Sequence, residues 1–426
     1  MTSRTTAPRG LLKGGAVVAV AMGIMNVATY GFTMLAAYLL GPRAYGAFAP
    51  LMAALLVISV LQLGLQATAA RRISADPEHV HQIERIILGV TYRGALVLGL
   101  VLVALSPLLN SLLRLGSLPT AALVGVAAVP LTVMGGQAGI LQGERRWAEL
   151  SLVYLAAGVP RLLFGLPLLL WRPTETSAMT AVTLGAFVPV LIGWYVLRDR
   201  EAGRRVSEHH GARSVLLETV HNVSALFAFF ALSNVDVIVA RRVLDPHDAG
   251  LYAAGLILTK AVLFLPQFVV VVAFPDMASG ESQTRRQTLL RSLVLVAALG
   301  AVCTLGALLL PDLALRFVGG AQYREIAESL WLFAVLGTIL SMLQLLVYAV
   351  LARRGQRSVY LVWAALVALV VAGSQVTTLA GLIAVVLLVD GTLLALLLAV
   401  SLLVVRPSPD ERRGAAHPVA GTQSGQ

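Results

Sequence analysis

Apolar residues in this chain come in long runs, not in alternation. Stretches of about 20–26 residues fall at 15–40, 46–70, 86–109, 119–141, 148–171, 178–197, 215–240, 249–274, 289–310, 327–351, 358–379 and 382–405. A helix that rises 1.5 Å per residue crosses a bilayer with about 20 apolar residues. Each run is therefore long enough for one membrane-spanning helix, and the pattern predicts twelve. The first run follows Arg4, Arg9 and Lys13, as the apolar stretch of a signal peptide would. It is too long for a stretch that is cleaved, so it reads as a retained span. The expected fold class is an all-α polytopic membrane protein.

Composition removes the soluble alternatives. Of 426 residues, 58% are hydrophobic and 12% charged, and the mean hydropathy is +0.85. Globular domains carry about 25% charge. Twelve spans leave no room for a large soluble domain, so no catalytic domain is expected and the chain is not read as an enzyme. The net charge of +11 would point to nucleic acid in a soluble protein. Here it fits basic cytoplasmic loops facing anionic lipid, and no nucleic-acid partner is expected. With both termini cytoplasmic, 22 of the 32 Lys and Arg fall on the cytoplasmic side and 7 on the other. The remaining three, Arg93, Arg161 and Lys260, lie inside spans. This bias predicts a multi-pass protein of the cytoplasmic membrane. The single cysteine, Cys303, permits no disulfide within the chain.

The longest basic loop, Arg198 to Arg213, divides the runs six and six. The halves resemble each other. After the first run comes L-G-P-R-A-Y-G-A-F-A (Leu40 to Ala49), and after the seventh L-D-P-H-D-A-G-L-Y-A (Leu244 to Ala253), at an offset of 204. The same offset relates Pro107 to Pro311, each placed at the close of a third span, and a similar one relates Gly143 to Gly355. A duplicated unit with an even number of helices inserts the same way twice, with its pseudo-twofold axis along the membrane normal. The expected organisation is a cytoplasmic N-terminus (1–14), helices 1–6 (15–197), a linker (198–214), helices 7–12 (215–405) and a disordered tail (406–426). Two such bundles facing each other across a central cavity suit alternating access.

Charges inside the spans are the candidate chemistry. A charge at mid-membrane costs about 2.5–3.5 kcal/mol and usually faces protein or a wet cavity. Arg161, Lys260 and Arg93 are the candidate contacts for an anionic substrate, with Asn26 and Asn222 as neutral polar partners. The plainer reading is internal ion pairs for Arg161 and Lys260, and for Arg93 a side chain snorkelling to the interface. Asp390 and Asp236 are the candidates for ion coupling, although Asp236 also lies close enough in sequence to Arg241 and Arg242 for a structural pair. Glu218 is placed near the inner end of its span, and His221 reads as a packing residue. Gly135, Gly139 and Gly143 form a small-residue stripe for close helix packing. Pro130, Pro160, Pro189 and Pro266 interrupt spans as kinks or hinges. No phosphate-binding G-x-x-x-x-G-K-[ST] loop, H-E-x-x-H or EF-hand pattern occurs, and His79 with His81 and His209 with His210 are too isolated for metal sites. No cofactor or metal is expected.

Several segments carry a family resemblance. L-G-P-R-A-Y-G-A-F is followed by L-G-L-Q-A-T-A-A-R-R (Leu63 to Arg72). N-V-D-V-I-V-A (Asn234 to Ala240) precedes G-L-Y (Gly250 to Tyr252), then Leu265-Pro266, Phe274-Pro275 and F-V-G-G-A-Q-Y (Phe317 to Tyr323). In this order, over about residues 40–357, the chain resembles a polysaccharide (O-antigen-type) flippase of the multidrug/oligosaccharidyl-lipid/polysaccharide (MOP, MATE-like) exporter superfamily. The resemblance implies twelve helices in two six-helix bundles around a central cavity. It also implies translocation of a polyprenyl-diphosphate-linked oligosaccharide to the outer leaflet for cell-surface polysaccharide biosynthesis. The implied partners are that lipid-linked oligosaccharide, membrane lipids, and a polysaccharide polymerase and glycosyltransferases, with the chain acting as a monomer. The alternatives are a drug/cation antiporter of the same superfamily, which needs an acidic cavity, and a major-facilitator carrier. The latter's G-x-x-x-D-R-x-G-R-R is replaced here by R-R-I-S-A-D-P-E-H-V-H. A lipid II flippase usually has fourteen spans, and a non-transporting scaffold has no use for mid-span charges.

Overall fold

A computed structural model describes residues 9–198, 212–263, 282–352 and 356–403. The linker at 199–211, the Leu265-Pro266 and Phe274-Pro275 pairs, and the tail from 404 lie outside the described residues. The thirteen α-helices among the described residues are, in order, α1 (Arg9–Ala75), α2 (Val80–Ala104), α3 (Ser106–Leu113), α4 (Leu118–Gly143), α5 (Trp147–Trp171), α6 (Glu175–Leu197), α7 (Ala212–Val243), α8 (Pro246–Leu263), α9 (Ser282–Leu309), α10 (Pro311–Val318), α11 (Leu330–Ala352), α12 (Gln356–Gly373) and α13 (Leu379–Leu403). A 3₁₀ segment, Ala321–Ser329, leads into α11.

Among the described residues eight helices are long and apolar enough to cross a membrane, and one of them runs from Gly14 to Ala75. That stretch is two spans, because Gly41 leaves the helix at φ 70°, ψ 173° before Pro42. With α7, α8 and α12 the helices number twelve, one per apolar run. Helix ends differ from the runs in places. The third run is broken at Leu105, where α2 stops and α3 begins. Pro107 and Pro311 do not close spans; each lies in the first turn of a short helix, α3 and α10. Their missing N–H costs nothing there. α12 ends at Gly373, before the eleventh run does. Pro130, Pro160 and Pro189 lie inside helices that continue through them, and Pro266 lies outside the described residues.

Glycines set how the helices meet. A Cβ on Gly135 would strike Gln62, one on Gly139 would strike Gln66, and one on Gly143 would meet Ile73 and the carbonyl of Ala70. Partners that advance together mean that the second leg of α1 and α4 run parallel at close contact. Gly158 against Met25 and Gly165 against Phe32 make α5 parallel to the first leg of α1. Gly99 against Val129 and Gly125 against Val103 run in opposite order, so α2 and α4 are antiparallel. In the second half, Gly255 against Phe333 and Gly337 against Thr259 make α8 and α11 parallel. The two halves thus form two six-helix bundles, with α1 also packed on α7 and α8.

The repeated turn shows why the halves match. In the first half Gly41 supplies the backbone bend ahead of Pro42. In the second, Asp245 does the equivalent work by capping α8, its Oδ1 accepting from the backbone N–H of His247 at 2.8 Å and of Asp248 at 3.2 Å. Such side-chain caps satisfy N–H groups that the helix leaves open. The Gly41 conformation lies in a region that only glycine occupies without strain. Gly41→Ala is expected to cost about 1–3 kcal/mol and to lower the thermal midpoint in detergent. Gly23→Ala, where an added Cβ meets open space, leaves the midpoint near that of the parent.

Candidate functional site

Polar side chains inside the second bundle converge on α7, α8 and α13. Asn234 and Asp236 on α7 and Asp390 on α13 are all less than 5% exposed. The Tyr252 hydroxyl on α8 donates to Asp236 Oδ2 at 2.9 Å, and the Val237 N–H donates to Asp236 Oδ1 at 2.8 Å. Lys260, two turns further along α8, donates from Nζ to Asn234 Oδ1 at 3.1 Å. Asn234 in turn donates to the Phe230 carbonyl at 2.8 Å. Asp390 Oδ1 is buried with no hydrogen-bond partner among the described residues. Its charge lies within electrostatic reach of Asp236 and Tyr252. Hydrocarbon offers no donor to a carboxylate, so such oxygens must find one in the protein or carry a cation or proton.

Asp236 does not pair with Arg241, contrary to the proximity in sequence. Arg241 reaches instead to the carbonyls of Leu113 and Arg114 in the other bundle. Helical geometry explains the difference: residues five apart on one helix do not share a face.

The first bundle carries no equivalent acid at these places. At the offset of 204, Asp236 corresponds to Phe32 and Tyr252 to Phe48. Those two phenylalanines make an edge-to-face contact, centroids 6.1 Å apart. The same pair of positions is therefore a hydrogen bond in one half and an aromatic contact in the other. Arg161 lies on α5 between Gly158 and Gly165, two of the points where α5 touches α1, and packs against α6 at Gly185. A Cβ on Gly185 would sit 2.9 Å from Arg161 Cγ. Arg161 Nε is buried without a hydrogen-bond partner, and no ion pair to Arg161 occurs among the described residues. Asn26 is half-buried on α1, one residue beyond the Met25 contact.

Arg93 falls elsewhere. It is exposed and shares its face of α2 with Leu96, Val97 and Leu100, all exposed, opposite the buried Thr91 and Ala95. That face suits a side chain that snorkels along lipid, and it separates Arg93 from Arg161. Asn222, Glu218 and His221 lie on α7, but their side chains lie outside the described residues. A cleft of about 500 Å³ opens at the basic end between α1, α2 and α4, lined by Ile73, Ser74, Val80, Gly143, Glu144 and Arg145. Burial pushes the Glu144 carboxyl up, with Arg146 and His81 pulling against it. It is remote in sequence and element from the charges of the spans. No group of three or more potential metal ligands occurs among the described residues.

A family model described as polysaccharide biosynthesis protein matches residues 11–281. The chain belongs to the polysaccharide biosynthesis protein family. Among curated proteins none matches it. Its fold is shared with solved transporters. A MOP superfamily transporter from Pyrococcus furiosus Vc1 is 15% identical over 92% of this chain and 95% of its own, with a TM-score of 0.61. The MATE multidrug transporter DinF-BH is 14% identical over 94% and 96%, with a TM-score of 0.62. An inward-facing multidrug resistance MATE family transporter of the MOP superfamily is 15% identical over 89% and 98%, with a TM-score of 0.61. This polysaccharide biosynthesis family member shares the fold of these MATE transporters.

Tyr252 is the residue that sequence reading passed over. It stood out only as part of the recurring turn, and the offset pairing with Phe48 is the signal that marks it. Tyr252→Phe removes one donor from a buried carboxylate and is expected to cost about 1–3 kcal/mol, read as a lower thermal midpoint in detergent.

Proposed function

We propose that this membrane transporter flips a polyprenyl-diphosphate-linked oligosaccharide across the cytoplasmic membrane, by alternating access between residues 15–197 and 215–405. The observation that carries the reading is Arg161, a guanidinium in mid-span whose buried Nε has no partner among the described residues. An unpaired cation in hydrocarbon is costly, so its retention fits a group that meets a transient anion. A diphosphate accepts strong charge-assisted hydrogen bonds from guanidinium and ammonium. Lys260 has donors to spare beyond its bond to Asn234, and Asn26 adds a neutral contact on α1. Arg93 is left out of this set, because its face is the exposed one.

The physics of the cargo asks for a protein path. Each unpaired hydroxyl costs roughly 2–7 kcal/mol in hydrocarbon, and an oligosaccharide carries many. Polar side chains and water between the bundles replace that hydration. Asp236 and Asp390 are the groups we assign to ion coupling, since Asp390 Oδ1 lacks a donor. A polysaccharide polymerase and glycosyltransferases are the partners proposed to act beside a monomeric transporter, with both termini cytoplasmic.

A drug/cation antiporter is the second reading, favoured by the multidrug transporters that share the fold. The interior cations speak against it. For the Pyrococcus furiosus transporter, a reversed polarity of the binding pocket was taken to suggest a different function, and the same logic applies to Arg161 and Lys260 here. Replacing Arg161 and Lys260 together by Ala is expected to abolish export of surface polysaccharide in cells while membrane levels of the protein stay normal. Arg161→Lys retains part of the export. Normal export by the double variant overturns the reading.

A further inference from the structure

The end of the molecule opposite the basic loops holds contacts that obey the internal symmetry. Gly46 and Gly250, related by the offset of 204, touch each other. A Cβ on Gly46 would lie 2.7 Å from the Gly250 nitrogen, and one on Gly250 would strike the Pro42 carbonyl. A residue that meets its own counterpart lies on the pseudo-twofold axis, so this crossing of α1 and α8 marks the axis.

Two sets of hydrogen bonds flank the crossing. On one side Arg241, at the end of α7, donates from Nε to the Leu113 carbonyl at 2.9 Å and from a terminal nitrogen to the Arg114 carbonyl at 3.0 Å. These carbonyls close α3, where a helix presents its negative end. On the other side Tyr323 donates to the Ala37 carbonyl at 2.8 Å, and Gln322 donates to the Tyr38 carbonyl at 2.7 Å. The Tyr38 carbonyl is free for a reason in the sequence: its helical donor would be the N–H of residue 42, which is proline. The Arg241 contact joins the end of α7 to the segment after the third span of the first half. The Gln322 and Tyr323 contacts join the end of the first leg of α1 to the segment after the third span of the second half. They are the same inter-bundle connection made twice.

We propose that these two clasps are the outer gate, that they shut it over the glycine crossing, and that export requires both to release. The assignment of this end to the outside rests on the orientation in the proposed function. The remaining terminal nitrogen of Arg241, Nη1, is buried without a partner among the described residues, so the clasp is incomplete and can let go at lower cost than a fully bonded one. Backbone carbonyls as acceptors leave no buried carboxylate behind when the gate opens.

The test uses the full-length protein in right-side-out vesicles with Cys303→Ser, so that one introduced cysteine reports. Ala253→Cys sits one turn below Gly250 on the same face of α8, where the residue is 2% exposed. Its reaction with a membrane-impermeant maleimide is expected to be slow. Adding Arg241→Gln or Tyr323→Phe is expected to speed it roughly ten-fold, the scale of about one buried hydrogen bond, and the pair of substitutions more than either alone. Unchanged labelling in all three variants overturns the gate. Ser374→Cys, exposed in the turn after α12, reports orientation separately. If it reacts only in inside-out vesicles, the orientation is wrong, and acceleration of Ala253→Cys in those same vesicles still supports the clasps as a gate on that side.

Discussion

Hydrocarbon supplies no hydrogen-bond partner, and every irregularity in this molecule is an answer to that constraint. Where the backbone must bend, at residue 41 and again at residue 245, the exposed groups are taken up by a side chain or by the other bundle. Asp245 caps its own helix. The Tyr38 carbonyl, left open by Pro42, is satisfied from across the interface by Gln322. The buried amides follow the same logic. Gln66 donates to both Gln142 and Tyr154, and Gln137 donates to the Val190 carbonyl and the Tyr92 hydroxyl. Among the described residues a few buried side-chain atoms still lack a partner, Arg161 Nε, Asp390 Oδ1 and Gln137 Oε1 among them.

Duplication gave two bundles of one architecture, and the chemistry then diverged. The helix pairings match in both halves: the parallel contact of α1 with α4 is repeated by α8 with α11. The interiors do not match. Phe32 and Phe48 meet edge to face where Asp236 and Tyr252 bond, and Leu56 stands where Lys260 stands. One bundle keeps a lone guanidinium; the other keeps a small network of acids, amide, phenol and ammonium. A symmetric scaffold with unlike interiors lets the two halves carry different chemistry.

The spans and their duplication were legible because they rest on composition and on turn chemistry. Apolar runs near 20 residues are hard to mistake, and Pro with Gly at a fixed offset survives in both halves. The break at Leu105 was hidden because the apolar run continues past Ser106-Pro107, while the end at Gly373 was marked by Ser374, Gln375, Thr377 and Thr378 and was read through. The charged positions were found one by one, but their grouping was not. The five-residue spacing already sets Asp236 apart from Arg241, but nothing in it points to Tyr252, because that partner comes from a different helix. Arg93 could not be told apart from Arg161 for a related reason: a charge in a run looks the same whether it faces a bundle or lipid, and only the burial of Thr91 and Ala95 distinguishes the faces.

A contact in which a residue meets its own equivalent is isologous, the kind that joins two identical chains in a dimer. Because here both partners belong to one chain, each half can change without the other, which is the condition for an aromatic pair and an acid network to occupy equivalent positions.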